Sequence, residues 1–145
     1  MNERWFLGTW LRVVADAETT GGALTVMEQR ARKGFSPPLH VHRREDTALL
    51  VLAGELRVRL GEASRRLPVG QFVWLPRDVP HTFVVDSDEA HFLEFANPAG
   101  IERFHIDASD PAPGPELPPP GEPDIGRVIA ALAPHDAEII GPPMT

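Results

Sequence analysis

The stretch GFSPPLHVHRREDTALLVLAGE, from Gly34 to Glu55, places two histidines one residue apart directly before an apolar run. Side chains two positions apart on a strand point to the same face, roughly 7 Å apart along the chain. His40 and His42 can therefore lean together and share one metal ion. An isolated His-x-His pair is also typical of a polar stripe on an exposed strand, so this stretch alone leaves both interpretations open.

The composition indicates one globular domain and excludes several classes of function. The chain has 145 residues, 42% of them hydrophobic, and a net charge of −7. No five-residue block is strongly basic, which argues against nucleic acid or an anionic membrane as a partner. The absence of cysteine excludes disulfides, thiolate metal sites and cysteine nucleophiles. The N-terminal segment MNERWFLGTWLRVV lacks the apolar core of a signal peptide, and no apolar run could span a membrane, so we expect a cytoplasmic protein.

Residues 5–106 carry the pattern of many short strands. Gly54 interrupts a long apolar segment and predicts a turn, after which Leu56, Val58 and Leu60 alternate with arginines as in a half-buried strand. Strands at this spacing with no helix between them predict an antiparallel sandwich or barrel of six to ten strands. The candidate strands are WFLGTWLRVV, ALTVMEQR, LHVH, TALLVLAGELRVRL with its turn, QFVWLP, HTFVVD, HFLEFA and RFHID.

The composition changes after this region. The segment PAPGPELPPPGEP, residues 111–123, contains seven prolines in thirteen residues and predicts an extended linker. A short helix of about residues 124–133 should follow, with Asp124 as N-cap and an apolar stripe at Ile125, Val128, Ile129 and Leu132. The predicted organisation is a barrel of residues 1–107 and a proline-rich extension of residues 108–145. The helix is too short to stand alone and should dock on the barrel or on a second subunit.

A third histidine stands in a second motif, GQFVWLPRDVPHTF, from Gly70 to Phe83. Together the two motifs resemble those of the cupin family. The first family motif has glycine, His-x-His, glutamate and a closing glycine, and the second has glycine, Pro-x-Gly, histidine and asparagine. The matching residues here are Gly34, His40, His42, Gly54, Gly70, Pro76 and His81, while Asp78 and Val85 replace the second motif's glycine and asparagine.

The resemblance covers roughly residues 5–106 and is strongest to the small cupins grouped with quercetin 2,3-dioxygenase. It implies an all-β fold, an antiparallel double-stranded β-helix or jelly-roll barrel. It also implies that His40, His42 and His81 bind a divalent metal ion, which could be iron, nickel, manganese or zinc. Small cupins resemble one another in pairing through their sheets, so we expect a homodimer in which the strand WFLGTWL covers an edge.

The family glutamate falls on Thr47, whose hydroxyl is a poor ligand without negative charge. Three interpretations follow. The site has three histidine ligands only, which leaves the ion's charge unbalanced and favours anionic, enolate-like ligands. Alternatively Glu45 is the fourth ligand, although we favour a solvated turn carboxylate beside Arg43 and Arg44. In the third interpretation the site is degenerate, which would leave three imidazoles needing other partners.

Strand alternation predicts which residues surround this site. Phe83 and Val85 share the face of His81, while Leu49 and Val51 share the face of Thr47. The predicted pocket is therefore apolar around a polar metal end, with Trp74, Phe95 and Phe104 as further candidates and the FSPPL segment as its lip. The remaining histidines, His91, His105 and His135, are interpreted as surface or ordinary packed residues.

Two classes of function follow from the resemblance. The first is a metal-dependent dioxygenase acting on a small enolizable or phenolic compound, without a general base at Thr47. The second is a non-catalytic cupin that binds a metal or a small ligand; a third hypothesis is a barrel with a vestigial site. The sequence identifies no catalytic residue, and the predicted partner is a small-molecule ligand.

Overall fold

The structure is a computed structural model that describes residues 3–145, and these form twelve strands, three α-helices and one 3₁₀ helix. The strands are β1 (Glu3–Phe6), β2 (Thr9–Ala15), β3 (Thr25–Arg32), β4 (Leu39–His42), β5 (Asp46–Ala53), β6 (Leu56–Leu60), β7 (Ala63–Leu67), β8 (Phe72–Leu75), β9 (His81–Val85), β10 (Glu89–Asn97), β11 (Ser109–Pro111) and β12 (Ala137–Gly141). The helices are α1 (Ala17–Thr20), α2 (Glu102–Asp107) and α3 (Ile125–Leu132), followed by the 3₁₀ helix Ala133–His135.

The strands form two antiparallel sheets. One has seven strands in the order β11-β1-β2-β3-β10-β5-β8, and the other has five in the order β12-β4-β9-β6-β7. Because neighbours in each sheet are mostly non-consecutive in the chain, the strands cross repeatedly between the sheets, as in a jelly roll. The predicted all-β double-stranded β-helix is confirmed.

The turn predicted at Gly54 joins the two sheets. Gly54 has a φ of 79°, and a Cβ at this position would collide with the carbonyl oxygen of Glu89. Only glycine fits both requirements without strain. The chain therefore passes from β5 in the larger sheet to β6 in the smaller sheet, and their apolar faces meet in the core.

The interior contains two hydrophobic clusters. The first lies between the sheets and includes Leu49, Val51, Leu56, Val58, Leu67, Val73, Leu75, Phe83, Val85 and Phe92. The second joins the N-terminal strands to the helices and includes Phe6, Leu11, Met27, Ile101, Phe104, Val128 and Leu132. The C-terminal helix is thus part of the core.

Several predictions about single segments were wrong. The predicted strand RFHID is helix α2, because it follows a turn and packs Phe104 and His105 inward. The predicted single strand WFLGTWLRVV is a hairpin, in which β1 pairs antiparallel with β2 and also with β11. Strands β7, β11 and β12 were not predicted, because their residues lack the alternation of half-buried strands.

The C-terminal segment adds one strand to each sheet. Strand β11 pairs with β1, and β12 pairs with β4, which carries His40 and His42. Helix α3 occupies the predicted position, with Asp124 accepting a hydrogen bond from the backbone N–H of Arg127 at 3.1 Å. The division into a barrel of residues 1–107 and an extension of residues 108–145 stays a prediction. Within residues 3–145, no helix combines the length and apolar character needed to cross a membrane.

Candidate metal centre and cavity

Three imidazoles meet on the inner face of the five-stranded sheet. His40 and His42 lie on β4, and His81 begins β9, where it pairs directly with His40. Their ring centroids are 4.5 to 5.5 Å apart, and one potential ligand atom from each ring lies within 4.8 Å of the others. The two strands therefore bring residues from distant motifs to one point.

The turn before His81 fixes this arrangement. Asp78, which replaces the glycine of the family motif, has a φ of 68°, in the left-handed region that aspartate tolerates better than most residues. Its backbone N–H donates to the carbonyl of His42 at 2.7 Å. The turn is thus tied to the end of β4, and β9 starts beside the histidine pair.

Hydrogen bonds at Nδ1 orient two of the rings. The Nδ1 of His40 lies 2.8 Å from the carbonyl oxygen of Pro38, which can only accept, so this nitrogen carries the proton. The Nδ1 of His42 lies 2.7 Å from Oε1 of Glu45. In both rings Nε2 is left for another partner. The Nδ1 of His81 is buried and has no hydrogen-bond partner among residues 3–145.

The surroundings keep the rings of His40 and His81 uncharged. Burial lowers the pKa of His40 from 6.5 to about 4, and the neighbouring His42 adds to the shift. Burial also lowers the pKa of His81 well below its usual range, again with contributions from the other two histidines. Both rings are neutral near pH 7, which is the form that binds metal ions.

Glu45 is not the solvated turn carboxylate that we favoured from the sequence. Its side chain is only 1% exposed, and its Oε2 lies 3.6 Å from the guanidinium of Arg44. A buried carboxylate is stable here because it is paired with the ring of His42. A carboxylate that accepts from the far nitrogen of a metal-binding histidine is a common second layer of metal sites. The structure places Glu45 in that position, against Nδ1 of His42.

Thr47 begins the inward face of β5 and is 2% exposed. Its hydroxyl oxygen is buried without a hydrogen-bond partner among the described residues. The residue is therefore buried as the alternation predicts, but it brings no carboxylate to the site.

A cavity of about 70 Å³ opens beside the three histidines. Of the predicted pocket residues, Leu49 and Phe83 line it, whereas Val51 and Val85 lie deeper in the first core cluster. Strand alternation correctly predicts that Val51 and Val85 point inward. The two sheets come together before these positions, so the cavity does not extend to them. The predicted lip contributes Phe35, Pro37 and Pro38, and the C-terminal segment contributes Val128, Leu132 and Ile139.

The three aromatic candidates differ in position. Phe104 lines the cavity from α2. Trp74 is 50% exposed on β8, and the ring of Phe95 lies 6.4 Å from that of Phe72 at an angle of 51°; neither Trp74 nor Phe95 lines the cavity. Both alternate onto the outer face of the larger sheet.

The sequence analysis missed a set of polar residues in the cavity wall: Gln29, Glu94 and His105. His105 is buried and packs against Phe6 and Phe104, which agrees with the interpretation as an ordinary packed residue, but it also lines the cavity. His91 lies on the outer face beside Glu28, and His135 is half-buried near Phe104. The signal for Glu94 was available, because alternation along HFLEFA places it on the same face as Phe92.

The residues present fit a divalent metal ion. Three imidazoles suit iron, nickel, manganese or zinc, and Nδ1 of His81 has no hydrogen-bond partner among the described residues. The bonds at Nδ1 leave Nε2 of His40 and His42 as the nitrogens for an ion. The fold and the site together define a jelly-roll barrel with a three-histidine cluster at one end of a largely apolar cavity.

Comparison with known proteins identifies the family that this architecture resembles. Residues 27–95 match the family described as Cupin domain. The quercetin 2,3-dioxygenase of Bacillus subtilis (strain 168) is 24% identical over 139 residues, which are 95% of this chain and 41% of the relative. The chain thus spans about two fifths of the length of that relative. Over the matched residues the chain is similar to the cupin family.

Solved structures support the fold assignment. KdgF from Halomonas sp. aligns with a TM-score of 0.60 and 22% identity, over 66% of this chain and 83% of its own. Oxalate decarboxylase of Bacillus subtilis, a protein with Mn(II) centres, aligns with a TM-score of 0.60 and 19% identity, over 68% of this chain and 27% of its own.

Proposed function

We propose that the protein is a metal-dependent cupin that acts on a small enolizable or phenolic compound in the manner of a dioxygenase. One observation carries the proposal. The rings of His40, His42 and His81 converge, and the Nδ1 atoms of the first two are occupied by Pro38 and Glu45. Such an arrangement holds an ion through three nitrogens and leaves further positions open for a substrate.

The residues of the chain have separable roles in this proposal. The histidines hold the ion, and Glu45 keeps the proton of His42 on Nδ1. Leu49, Phe83 and the prolines of the lip exclude water from the reacting region. When bound, iron, nickel, manganese or zinc would supply a Lewis acid and, for the redox-active metals, a centre for electron transfer.

The cavity of about 70 Å³ beside the histidines suits a small group of a substrate, and its wall is mainly apolar. We therefore expect a substrate with an acidic oxygen that faces the ion and an apolar part against Leu49 and Phe83.

Metal analysis tests the site directly. The purified protein should contain about one divalent ion per chain, measured by plasma mass spectrometry. His81→Ala should lose most of it, whereas His91→Ala, on the outer face of the larger sheet, should retain it. Oxygen uptake is then measured with small β-diketones and catechols. Equal metal content in wild type and His81→Ala would contradict the proposal.

A non-catalytic binding protein is the second candidate, and Thr47 favours it. The residue lacks the carboxylate found at this position in the family motif. If the wild type binds metal through the three histidines but shows neither oxygen uptake nor product with any compound of the panel, this candidate is the better one.

We also propose that two copies of the chain associate through β8. This strand ends the larger sheet, so no strand among residues 3–145 pairs with one of its two sides. Phe72 and Trp74 on β8 are 51% and 50% exposed, and Leu52 and Val69 are exposed as well. An apolar edge strand can pair with its own copy. Light scattering should give twice the chain mass, and Trp74→Arg should reduce it to the monomer mass; a monomeric wild type would refute the dimer.

A further inference from the structure

The cavity has a polar wall that the three histidines do not use. Glu94 on β10 is half-buried and lines the cavity. Its Oε1 accepts a hydrogen bond of 2.6 Å from Nε2 of Gln29, a residue that is only 3% exposed. Its Oε2 has no hydrogen-bond partner among the described residues. A carboxylate held at one oxygen by a buried amide presents its second oxygen in a defined direction.

His105 adds a second acceptor to this wall. Its Nδ1 lies 3.0 Å from the carbonyl oxygen of Ile101, so Nδ1 carries a proton and Nε2 is an acceptor in the neutral ring. Burial lowers the pKa of His105, against the opposing influence of Glu94. The ring therefore stays neutral near pH 7, and it offers the cavity a lone pair rather than a positive charge.

The wall is thus rich in acceptors and poor in donors. Glu94 and His105 both accept, and Nε2 of Gln29 already donates to Glu94. A ligand hydroxyl in this place would donate to an ionised carboxylate, which is one of the stronger hydrogen bonds in proteins. A ligand carboxylate would meet a like charge in a region of low dielectric constant, where repulsion is strong.

We propose that Glu94 selects ligands that carry a hydroxyl group remote from the metal-binding oxygen, and that it rejects ligands with a second carboxylate. This inference deepens the proposed function and rests on it, because it takes the three histidines as the other end of the binding site. Glu94 acts as a specificity residue, with Gln29 as its positioning residue.

Gln29 also makes the proposal testable by one substitution. In Glu94→Gln the new amide can still form a hydrogen bond with the amide of Gln29, so the side chain keeps its place. The substitution keeps the shape of residue 94 and replaces an anionic acceptor with a neutral amide. Hydroxylated and carboxylated ligands should therefore respond in opposite directions.

The experiment uses pairs of acids with matched chain length. Glycolate is compared with oxalate, β-hydroxypropionate with malonate, and γ-hydroxybutyrate with succinate. The protein is loaded with Zn²⁺, which has no redox chemistry of its own, and dissociation constants are measured by calorimetry. In Glu94→Gln, the constant for the best hydroxy acid should rise about tenfold and that for its dicarboxylate should fall. Glu28→Gln is the matched control, because its carboxylate pairs with His91 on the outer face.

The outcomes separate this inference from the proposed function. The ratio compared is the dissociation constant of the hydroxy acid divided by that of its dicarboxylate. If this ratio is the same in Glu94→Gln as in wild type and Glu28→Gln, the inference is overturned, even if zinc is bound normally. If the protein binds no zinc, the proposed function fails, and the same ratios are then measured on the metal-free protein by ligand-observed NMR. If Glu94→Gln does not fold, the wild type is compared with free Zn²⁺. The zinc-loaded protein must prefer the hydroxy acid over the dicarboxylate more strongly than free Zn²⁺ does, and an equal or weaker preference overturns the inference.

Discussion

The buried carboxylate of Glu45 is the sharpest test of how the metal centre is built. Its Oε1 lies 2.7 Å from Nδ1 of His42, and the side chain is 1% exposed. A hydrogen bond to a charged group contributes about 1.5–3 kcal/mol. Loss of a second-layer partner typically weakens metal affinity by about 10- to 100-fold, which is about 1.4–2.7 kcal/mol. The energy range of the hydrogen bond overlaps the range of the affinity loss. Removing the hydrogen bond between Glu45 and His42 should therefore account for the loss of metal affinity.

Two substitutions at Glu45 separate the loss of its charge from the loss of its hydrogen bond to His42. Glu45→Gln keeps the volume and an oxygen that accepts from Nδ1 of His42, so it should weaken zinc binding by about tenfold. Glu45→Ala leaves the Nδ1–H without a partner and should weaken binding by about 100-fold. It should also destabilise the fold by about 1–3 kcal/mol, the cost of an unsatisfied buried polar group. Zinc affinity is measured by competition with a chromophoric chelator, and stability by urea unfolding of the metal-free protein.

The controls decide between a second-layer residue and a ligand. Glu28→Gln removes the charge from a carboxylate that is also 2.7 Å from a histidine, but on the outer face, and should leave zinc affinity unchanged. If Glu45→Ala releases zinc as completely as His81→Ala, Glu45 is itself the fourth ligand. If neither Glu45 substitution alters zinc affinity, the carboxylate does not orient His42 and the reasoning is refuted.

Three further predictions concern the centre and its enclosure. Thr47→Glu should tighten zinc binding in the same competition assay, because it returns a carboxylate to the family position; weaker binding would argue against that geometry. Leu132→Ala should lower the free energy of unfolding by about 3 kcal/mol, since this side chain is buried in the core, whereas Ile129→Ala on the exposed side of the same helix should change it by less than about 0.5 kcal/mol. The metal-free protein should lose stability in acid, because the pKa of His40 is lowered to about 4 in the folded state. It should have its full stability above about pH 6.5 and lose up to about 3 kcal/mol toward pH 4. The free energy of urea unfolding is measured against pH, and a profile that is no flatter in His40→Gln would contradict this prediction.

Local patterns in the sequence determined the strands, the turn at Gly54 and the shared face of the first two histidines. A His-x-His pair on a strand has both rings on one face by geometry alone. Gly54 marks a turn because its positive φ and its close contact with Glu89 exclude a side chain. These features depend on strand periodicity or on a backbone conformation, which short stretches of sequence specify. The jelly roll and the position of His81 beside His40 were implied only by the resemblance to the cupin motifs, and the structure pairs these two residues directly.

The tertiary structure alone decided the surroundings of the cluster. Glu45 follows a turn, where strand parity does not predict the direction of a side chain, and only packing brings it to His42. The C-terminal segment pairs with β4 and closes the cavity through contacts across 95 to 102 residues of chain, which no local pattern encodes. Alternation put Glu94 on an inward face, but its position at the cavity depends on Gln29, 65 residues away. Partners this distant in sequence meet only because the two sheets fold over one another.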